Sequence, residues 1–296
     1  MSTITLLSPA KINLTLEILG TRPDGYHELR SLIQPVDFFD EVRISAEEGH
    51  GIAIETSGIP IPEDSDNLAW KAADLYLRKS GLALRVDIFI KKRIPPGAGL
   101  GGGSGNAASV LVGLNKLWSA FTEETLLKIA PAIGADVPFF IRSQSALVEG
   151  IGDRITVLRD FPSFYFVVLC PNLHISTQDV YKKWDELNPA RDIGEANNAA
   201  GDIQNTVSMF RDASQAPPLK NDLEAPALGL YPEINSYKKM LTSMGDLPVM
   251  MTGSGSAVYA IFKNEDQAKE IYDYLKTSPT FQVILAKGIT GWHFLI

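Results

Sequence analysis

The stretch of this chain with the clearest chemical capacity is the glycine-rich run at residues 95–108, which reads PPGAGLGGGSGNAA. Glycine has no Cβ, so its backbone adopts positive φ angles and approaches a ligand closely. A run of such residues at the start of a helix presents several backbone N–H groups, and the positive end of the helix dipole, to an anion. An apolar strand pattern precedes the run and a helical pattern follows it, which is not typical of a flexible linker. The run therefore predicts a phosphate-binding loop.

Two familiar phosphate-binding motifs do not describe this loop. It lacks the Gly-Lys-Ser/Thr ending of a Walker A loop. The spacing GxGxxG at residues 97–102 matches the dinucleotide fingerprint, but that fingerprint directly follows a strand and needs an acidic residue about 20 positions further on. Here residues 91–96 separate the strand from the glycines, and the downstream acids, Glu123 and Glu124, open a helix. The pattern argues against a nicotinamide-dependent oxidoreductase.

Lys11, Asn13 and Asp136 are the polar residues best placed for acid–base chemistry. Lys11 and Asn13 fall on one face of an alternating strand, and that face is either solvated or part of a site. Asp136 is the one acid in the apolar decamer at residues 132–141, where a lone carboxylate is costly to bury. It either caps a turn or pairs with a cation such as Lys11. Such a pair suits phosphoryl transfer to an alcohol, since the carboxylate accepts the hydroxyl proton and the cation favours the developing alkoxide.

Two further segments each have a structural and a functional interpretation. The small-residue loop TGSGSA at residues 252–257 follows an apolar strand. It is either a tight turn or a loop whose hydroxyls and N–H groups close over a phosphate. Tyr26 and His27 follow the turn signal PDG at residues 23–25. They are either ordinary strand residues or an aromatic plane and a polar ring that read the edge of a base.

Composition limits the class of protein. The chain has 296 residues, of which 45% are hydrophobic and 21% charged, as in an ordinary globular protein with a sizeable core. Its formal net charge of −8 argues against nucleic acid and anionic membranes as partners. The four histidines show no metal-binding spacing, and the single cysteine, Cys170, excludes an internal disulfide. With no signal-like or membrane-spanning run, we expect a cytoplasmic protein.

The elements that must position these residues follow a mixed helix and strand order. Alternation and turn signals predict strands at residues 12–18, 26–36, 41–46, 51–56, 84–90, 164–170, 248–251, 257–262 and 281–286. Helical periodicity predicts one helix from Asp66, as N-cap, to residue 79, and others at residues 104–118, 122–134, 177–184, 231–242 and 265–275. The composition changes near residue 158, which indicates a domain boundary there. The polar stretch at residues 187–220 is predicted to be a loop or a loosely packed region.

Three separated motifs resemble those of the galactokinase–homoserine–mevalonate–phosphomevalonate (GHMP) kinase superfamily. They lie at residues 8–14 (SPAKINL), 96–104 (PGAGLGGGS) and 252–257 (TGSGSA). The resemblance implies a two-domain α+β fold with the active site between the domains. A domain like domain 2 of ribosomal protein S5 would span residues 1–158, and a ferredoxin-like domain would span residues 159–296.

Further segments are similar to one branch of that superfamily, the kinases of the non-mevalonate isoprenoid pathway. These segments are AKINL at residues 10–14, RPDGYHEL at 22–29, GGSGNAA at 102–108 and GADVPFF at 134–140. Small departures accompany them. Gly105 replaces a serine that is common after the glycine run, and Tyr181 replaces a phenylalanine while keeping an aromatic plane.

The resemblance implies ATP-dependent phosphorylation of the 2-hydroxyl of a methylerythritol that is linked to cytidine diphosphate. Asp136 would be the base, and Lys11 would polarise the hydroxyl and steady that carboxylate. ATP, with Mg²⁺, would bind at the positions that match the nucleotide site, namely Asn67, Lys92, Pro96, Gly97, Ala98, Gly99, Leu100, Gly101, Gly102, Gly103, Ser104 and Asn106. The acceptor would bind at Asn13, Tyr26, His27, Thr177, Tyr181, Gly253 and Ser254, with the two tyrosines on either side of the cytosine.

Two other functions compete with this one. A superfamily kinase for homoserine or mevalonate is disfavoured, because those acceptors have no base for Tyr26 and His27 to bind. A catalytically silent nucleotide-binding regulator is disfavoured, because it has no need of both Lys11 and Asp136. We expect small-molecule partners, no nucleic acid and no membrane, and a monomer or a weak homodimer.

Overall fold

The computed structural model describes residues 1–189, 200–212, 217–291 and 293–295. Over these residues the chain forms one sheet of eight strands and one of four. The first sheet contains β1 (Ser2–Thr21), β2 (His27–Glu48), β3 (Gly51–Gly58), β4 (Leu84–Lys92), β5 (Ala146–Gly150), β6 (Arg154–Val157), β8 (Lys220–Asn221) and β12 (His293–Leu295). The second contains β7 (Tyr165–Pro171), β9 (Val249–Met251), β10 (Val258–Phe262) and β11 (Phe281–Lys287). The helices are α1 (Leu68–Ser80), α2 (Gly102–Trp118), α3 (Glu123–Ile129), α4 (Val137–Arg142), α5 (Thr177–Leu187), α6 (Ala200–Arg211), α7 (Glu224–Leu230), α8 (Ile234–Thr242) and α9 (Glu265–Leu275).

A long antiparallel hairpin of β1 and β2 is the centre of the first sheet. Its register pairs Ser2 with Ala46 at one end and Thr21 with His27 at the other. The register shifts at three points along the hairpin, and such bulges redirect side chains. β1 is much longer than the strand predicted at residues 12–18. The prediction was too short because both faces of β1 are largely buried, and a strand buried on both faces loses the alternation that reveals it.

The predicted elements of the first half are present with altered ends. The prediction of Asp66 as N-cap was wrong, since α1 is capped by Asn67, whose side chain accepts a hydrogen bond from the Ala69 N–H at 2.9 Å. β2 joins the two strands predicted at residues 26–36 and 41–46. The short elements β5, β6 and α4 were not predicted, because each spans six residues or fewer and gives little periodicity.

The second half carries the four-stranded sheet in the order β11-β7-β10-β9, with antiparallel neighbours throughout. The prediction of a loop or a loosely packed region at residues 187–220 was wrong in part, because α6 lies within that stretch and β8 begins at its last residue. Val207 and Phe210 of α6 are buried, but so few apolar positions in a polar stretch give a weak helical period. Residues 190–199 and 213–216 of that stretch lie outside the described residues.

The two halves are packed against each other along β1. One apolar cluster contains Ile12 and Leu14 of β1 together with Phe166 and Tyr259 of the second sheet. The Tyr259 hydroxyl donates to the carbonyl of Asn13 at 2.9 Å. Beyond residue 158, the predicted boundary, β8 and β12 return to pair with β1. In the described part of the chain, no helix combines the length and apolar character that crossing a membrane requires.

Candidate active site

The glycine loop connects β4 to α2 and lies between the two halves. Gly99 and Gly101 have φ angles of +77° and +70°, a left-handed conformation that residues with side chains rarely adopt. A Cβ on Gly99 would lie 2.1 Å from the carbonyl oxygen of Thr252, and one on Gly101 would lie 2.8 Å from the ring of Phe140. Both positions therefore require glycine, by conformation and by space.

Backbone hydrogen bonds hold the loop on both sides. The Lys11 N–H donates to the Leu100 carbonyl at 3.0 Å, and the Ala257 N–H donates to the Ala98 carbonyl at 3.1 Å. α2 then begins after Gly101, a cap position with no side-chain hydrogen bond. The N–H groups of a first helical turn have no partner within the helix. The loop thus has the geometry of an anion-binding helix start.

Lys11 and Asn13 lie side by side on β1, on the face that meets the glycine loop. Their side chains are in contact through Lys11 Nζ and Asn13 Oδ1, as the predicted shared face requires. They are 3% and 4% exposed, so this face is buried and not solvated. Asn13 Nδ2 donates to Ser31 Oγ at 2.8 Å, which fixes its amide. Burial lowers the pKa of Lys11, and the nearby charge of Asp136 opposes that shift.

Asp136 is brought to Lys11 by α4, which begins at the next residue. Its Oδ2 lies 3.8 Å from Lys11 Nζ, with 41% of the Asp136 side chain exposed. Asp136 occupies the N-cap position of α4, but its backbone angles are helical and it makes no capping hydrogen bond. The structure therefore shows Asp136 paired with a cation, Lys11, and not capping a turn.

These elements enclose a cavity of about 300 Å³. Of the residues predicted from the sequence, its walls include Lys11, Asn13, Gly97, Gly99, Gly101, Ser104, Asp136, Thr177, Tyr181, Gly253 and Ser254. Others from the predicted nucleotide set lie elsewhere. Pro96 and Ala98 line a separate cavity of about 590 Å³, Leu100 is buried in the core, and Gly102 and Gly103 form the first turn of α2.

The loop at residues 252–257 closes the 300 Å³ cavity on the side of the second sheet. The Ser254 and Thr177 hydroxyls are 2.8 Å apart, so the loop is joined to the start of α5. Asn221 was not predicted, and its Nδ2 donates to the Gly253 carbonyl at 2.8 Å. The small-residue loop is therefore both a tight turn and a wall of the cavity.

A second cavity, of about 470 Å³, adjoins the first and is lined by aromatic and charged residues that include Tyr26, His27, Tyr181, Lys182 and Asp185. Tyr181 is a wall of both cavities. The rings of His27 and Tyr181 have centroids 4.8 Å apart, and His27 Nε2 lies 2.8 Å from Asp185 Oδ1. Tyr26 is 62% exposed, so much of this residue is accessible. Burial raises the pKa of Tyr181, and the charge of Asp136 raises it further.

Lys92 and Asn106 lie behind the glycine loop and not in the wall of the 300 Å³ cavity. They are 2% and 1% exposed and share a buried carboxylate, Asp40, which the sequence did not single out. Burial lowers the pKa of Lys92, and Asp40 opposes that shift. Asn67 caps α1 and is 8% exposed. The structure therefore divides the predicted nucleotide residues into loop residues and supporting residues.

Comparison with known proteins defines the class. Residues 67–144 match the family model for the N-terminal domain of GHMP kinases, and residues 190–279 match the model for the C-terminal domain. A crystal structure of homoserine kinase from Cytophaga hutchinsonii aligns with a TM-score of 0.74 over 100% of this chain and 98% of that one, at 18% identity. The fold is that of a two-domain GHMP kinase.

More similar relatives define the family within that class. The 4-diphosphocytidyl-2-C-methyl-D-erythritol kinase of Citrifermentans bemidjiense is 40% identical over 91% of this chain and 93% of that protein. The kinase of the same name from Carboxydothermus hydrogenoformans is 41% identical over 97% of each chain. A crystal structure of 4-(cytidine 5'-diphospho)-2C-methyl-D-erythritol kinase aligns with a TM-score of 0.79 at 33% identity, over 96% of this chain and 99% of that one. The chain belongs to the family of 4-diphosphocytidyl-2-C-methyl-D-erythritol kinases, which are small-molecule kinases.

Proposed function

We propose that this protein transfers the γ-phosphoryl group of ATP to the 2-hydroxyl of 4-diphosphocytidyl-2-C-methyl-D-erythritol, in the non-mevalonate route to isoprenoid precursors. One observation carries the proposal. The Lys11–Asp136 pair, with Nζ and Oδ2 3.8 Å apart, lies in a cavity that the glycine loop helps to enclose. The names of the similar kinases and the adjoining aromatic cavity support a cytidyl acceptor.

The pair supplies a proton acceptor and a positive charge for an in-line displacement. The Asp136 carboxylate accepts the proton of the 2-hydroxyl, and the hydroxyl oxygen bonds to the γ-phosphorus. The bond from that phosphorus to the β–γ bridging oxygen breaks, and ADP leaves. The Lys11 ammonium stabilises the acceptor oxygen as it loses its proton. Asn13, in contact with Lys11 Nζ, fixes the position of that charge.

The glycine loop, residues 97–104, holds the triphosphate through its backbone N–H groups, with Asn67 on the nucleotide side and Lys92 and Asn106 behind the loop. Mg²⁺ bound with ATP would neutralise phosphate charge. Mg²⁺ commonly keeps several waters and takes only one or two protein ligands besides substrate phosphates. Among the described residues no group of three His, Cys, Asp or Glu is arranged for a metal. Ser104, a loop residue that lines the cavity, has the oxygen to hold the ion.

The aromatic cavity takes the cytosine. Tyr26 and Tyr181 lie on either side of the base, and stacking of a base on an aromatic ring is worth about 1–3 kcal/mol. His27 and Asn13 hydrogen-bond nearby. Thr177, Gly253 and Ser254, which line the 300 Å³ cavity, bind the rest of the acceptor.

Turnover of ATP with Mg²⁺ and alternative acceptors tests the proposal. ADP formation with 4-diphosphocytidyl-2-C-methyl-D-erythritol, and none with homoserine or mevalonate, is the expected result. ADP formation with one of the other two acceptors would contradict the assigned substrate. ATP binding without turnover of any acceptor would point to the silent regulator.

Asp136→Asn tests the role of Asp136 as proton acceptor separately from any role in ATP binding. The amide fills the same space but cannot accept the proton, so kcat should fall by about 10²-fold or more, while ATP affinity stays near that of the wild type. Asp74→Asn is the matched control, because it makes the same change in an ion pair with Arg78 on α1, at 2.7 Å. It should leave kcat unchanged. Loss of ATP binding in Asp136→Asn would show that the residue is structural.

A further inference from the structure

Asp40 is a fully buried carboxylate, with 0% exposure, that bonds to both ends of the glycine loop. Its Oδ1 accepts from the backbone N–H groups of Arg93 at 2.7 Å and Ile94 at 2.9 Å, in the segment that leads into the loop. Its Oδ2 accepts from Asn106 Nδ2 at 2.9 Å, in the helix that follows the loop. The Asp40 side chain therefore joins the segment before the glycine loop to the helix after it.

Lys92 completes this arrangement beneath the first residue of α2. Its Nζ contacts Asp40 Oδ2 and lies 3.4 Å from Asn106 Oδ1. A Cβ on Gly102 would lie 2.6 Å from the same Nζ, so the ammonium packs directly against the start of the helix. A positive charge at a helix N-terminus is unfavourable, and a buried charge without a partner costs several kcal/mol. Asp40 removes both difficulties.

We propose that Asp40 is a positioning residue for ATP, which sets the direction of the loop N–H groups by fixing residues 92–94 against Asn106. The proposal rests on the proposed function of the glycine loop as the site of the triphosphate. It also assigns a new role to Lys92, which acts through Asp40 and the loop and not through direct contact with the nucleotide. The charged pair is thus part of the support of the phosphate site.

Asp40→Asn tests the role with little change in shape. The amide oxygen can still accept hydrogen bonds, but it no longer neutralises Lys92. We expect the Kd for ATP with Mg²⁺, measured by isothermal titration calorimetry, to rise about tenfold or more, as for other displacements of a binding loop. The KM for the cytidyl acceptor should stay within about twofold of the wild-type value. A general loss of structure would instead affect both substrates.

Asp37→Asn is the matched control in the same strand. Asp37 also accepts a backbone hydrogen bond, from the Lys287 N–H at 2.6 Å, but it does not touch the glycine loop. It should leave the Kd for ATP unchanged. A Kd for ATP in Asp40→Asn that matches the wild type, or an equal rise in both variants, would overturn the proposal.

The double variant Asp40→Asn/Lys92→Met keeps the proposal testable if Asp40→Asn does not fold. Because it removes both charges, no buried ion is left without a partner. Its fold loss of ATP affinity should be smaller than the product of the fold losses in the two single variants. If Asp40→Asn does not fold, the comparison is with Lys92→Met alone, and the double variant should lose less affinity than Lys92→Met does. Full multiplication of the losses, or a double variant that binds ATP more weakly than Lys92→Met does, would show that Asp40 and Lys92 act independently and would overturn the proposal. ATP binding by the wild-type protein without turnover of the cytidyl acceptor would refute the proposed reaction and leave this comparison intact.

Discussion

Lys11 is a buried lysine, and burial disfavours its charged form. Burial lowers the pKa of Lys11, and the Asp136 charge raises it only in part, so its ammonium loses the proton at a lower pH than an exposed lysine does. The proposed mechanism needs the charged form. Activity is therefore present below the lowered pKa and is lost as the pH rises through it. We expect the alkaline limb of the kcat/KM profile to lie below the range in which exposed lysines titrate.

Lys11→Arg is the control for that assignment. A guanidinium stays charged at every pH that the protein tolerates, so the alkaline limb should disappear from the activity that remains, although the larger group lowers kcat. An alkaline limb at the same pH in Lys11→Arg would assign the limb to another group.

Tyr181 is the residue that both cavities share, and its ring is the proposed stacking surface for the base. Tyr181→Ala should raise the KM for the cytidyl acceptor by roughly 5- to 150-fold, the equivalent of about 1–3 kcal/mol, and leave the KM for ATP near the wild-type value. Tyr181→Phe keeps the aromatic plane and should stay close to the wild type. Steady-state kinetics with each substrate varied in turn gives the answer, and equal losses for both substrates would argue against stacking.

Single residues were predictable where a local pattern defines them. The shared face of Lys11 and Asn13 follows from strand alternation alone. Asp40 and Asn221 were not singled out, because their importance comes from partners that are distant in sequence. Asp40 binds an N–H group 53 residues later, and Asn221 binds a carbonyl 32 residues later. No spacing rule within the sequence reveals either contact.

Among the elements, type was more predictable than extent, and β2 shows why. The sequence placed a break at residues 37–40, where two acids lie close together. The strand continues through them because both carboxylates are satisfied by backbone N–H groups outside the hairpin, Asp37 by that of Lys287 and Asp40 by that of Ile94. A buried polar side chain therefore need not interrupt a strand when backbone N–H groups satisfy it.

The glycine loop is the element whose conformation the sequence defines most tightly, and Gly99→Ala tests this. The new Cβ would lie 2.1 Å from the Thr252 carbonyl oxygen at a φ of +77°. We expect a loss of about 1–3 kcal/mol in the free energy of unfolding and a higher KM for ATP, because the loop must move away from residues 252–257. Thermal unfolding and ATP titration measure the two effects.

Gly229→Ala is the control for Gly99→Ala. This glycine lies in α7, and no heavy atom is within 4 Å of the position its Cβ would take. The substitution should stabilise the helix slightly, since alanine is the better helix former, with no change in the KM for ATP. An unaltered KM for ATP in Gly99→Ala would show that the loop tolerates displacement.

At the scale of the whole molecule, the described residues form two sheets that share apolar packing. The cluster around β1 takes Ile12 and Leu14 from the first sheet and Phe166 and Tyr259 from the second. β8 and β12, both distant in sequence, complete the first sheet beside β1. The predicted change of composition near residue 158 gives no indication of these returning strands, because they are two and three residues long. Lys11 and Asn13 lie on β1, so the strand that carries the proposed catalytic lysine is also the one that joins the halves.

Because the halves share this cluster, we expect them to unfold together. Proteins with separable domains often unfold in steps, so a single transition is a discriminating result. Hydrogen exchange followed on peptides from β4 and β10 at increasing urea should show both sheets losing protection at the same midpoint. Residues 1–158 expressed alone should not fold, because Ile12 and Leu14 would lose the cover of Phe166 and Tyr259. Two separate midpoints, or native protection in that fragment, would show that each half is stable without the other.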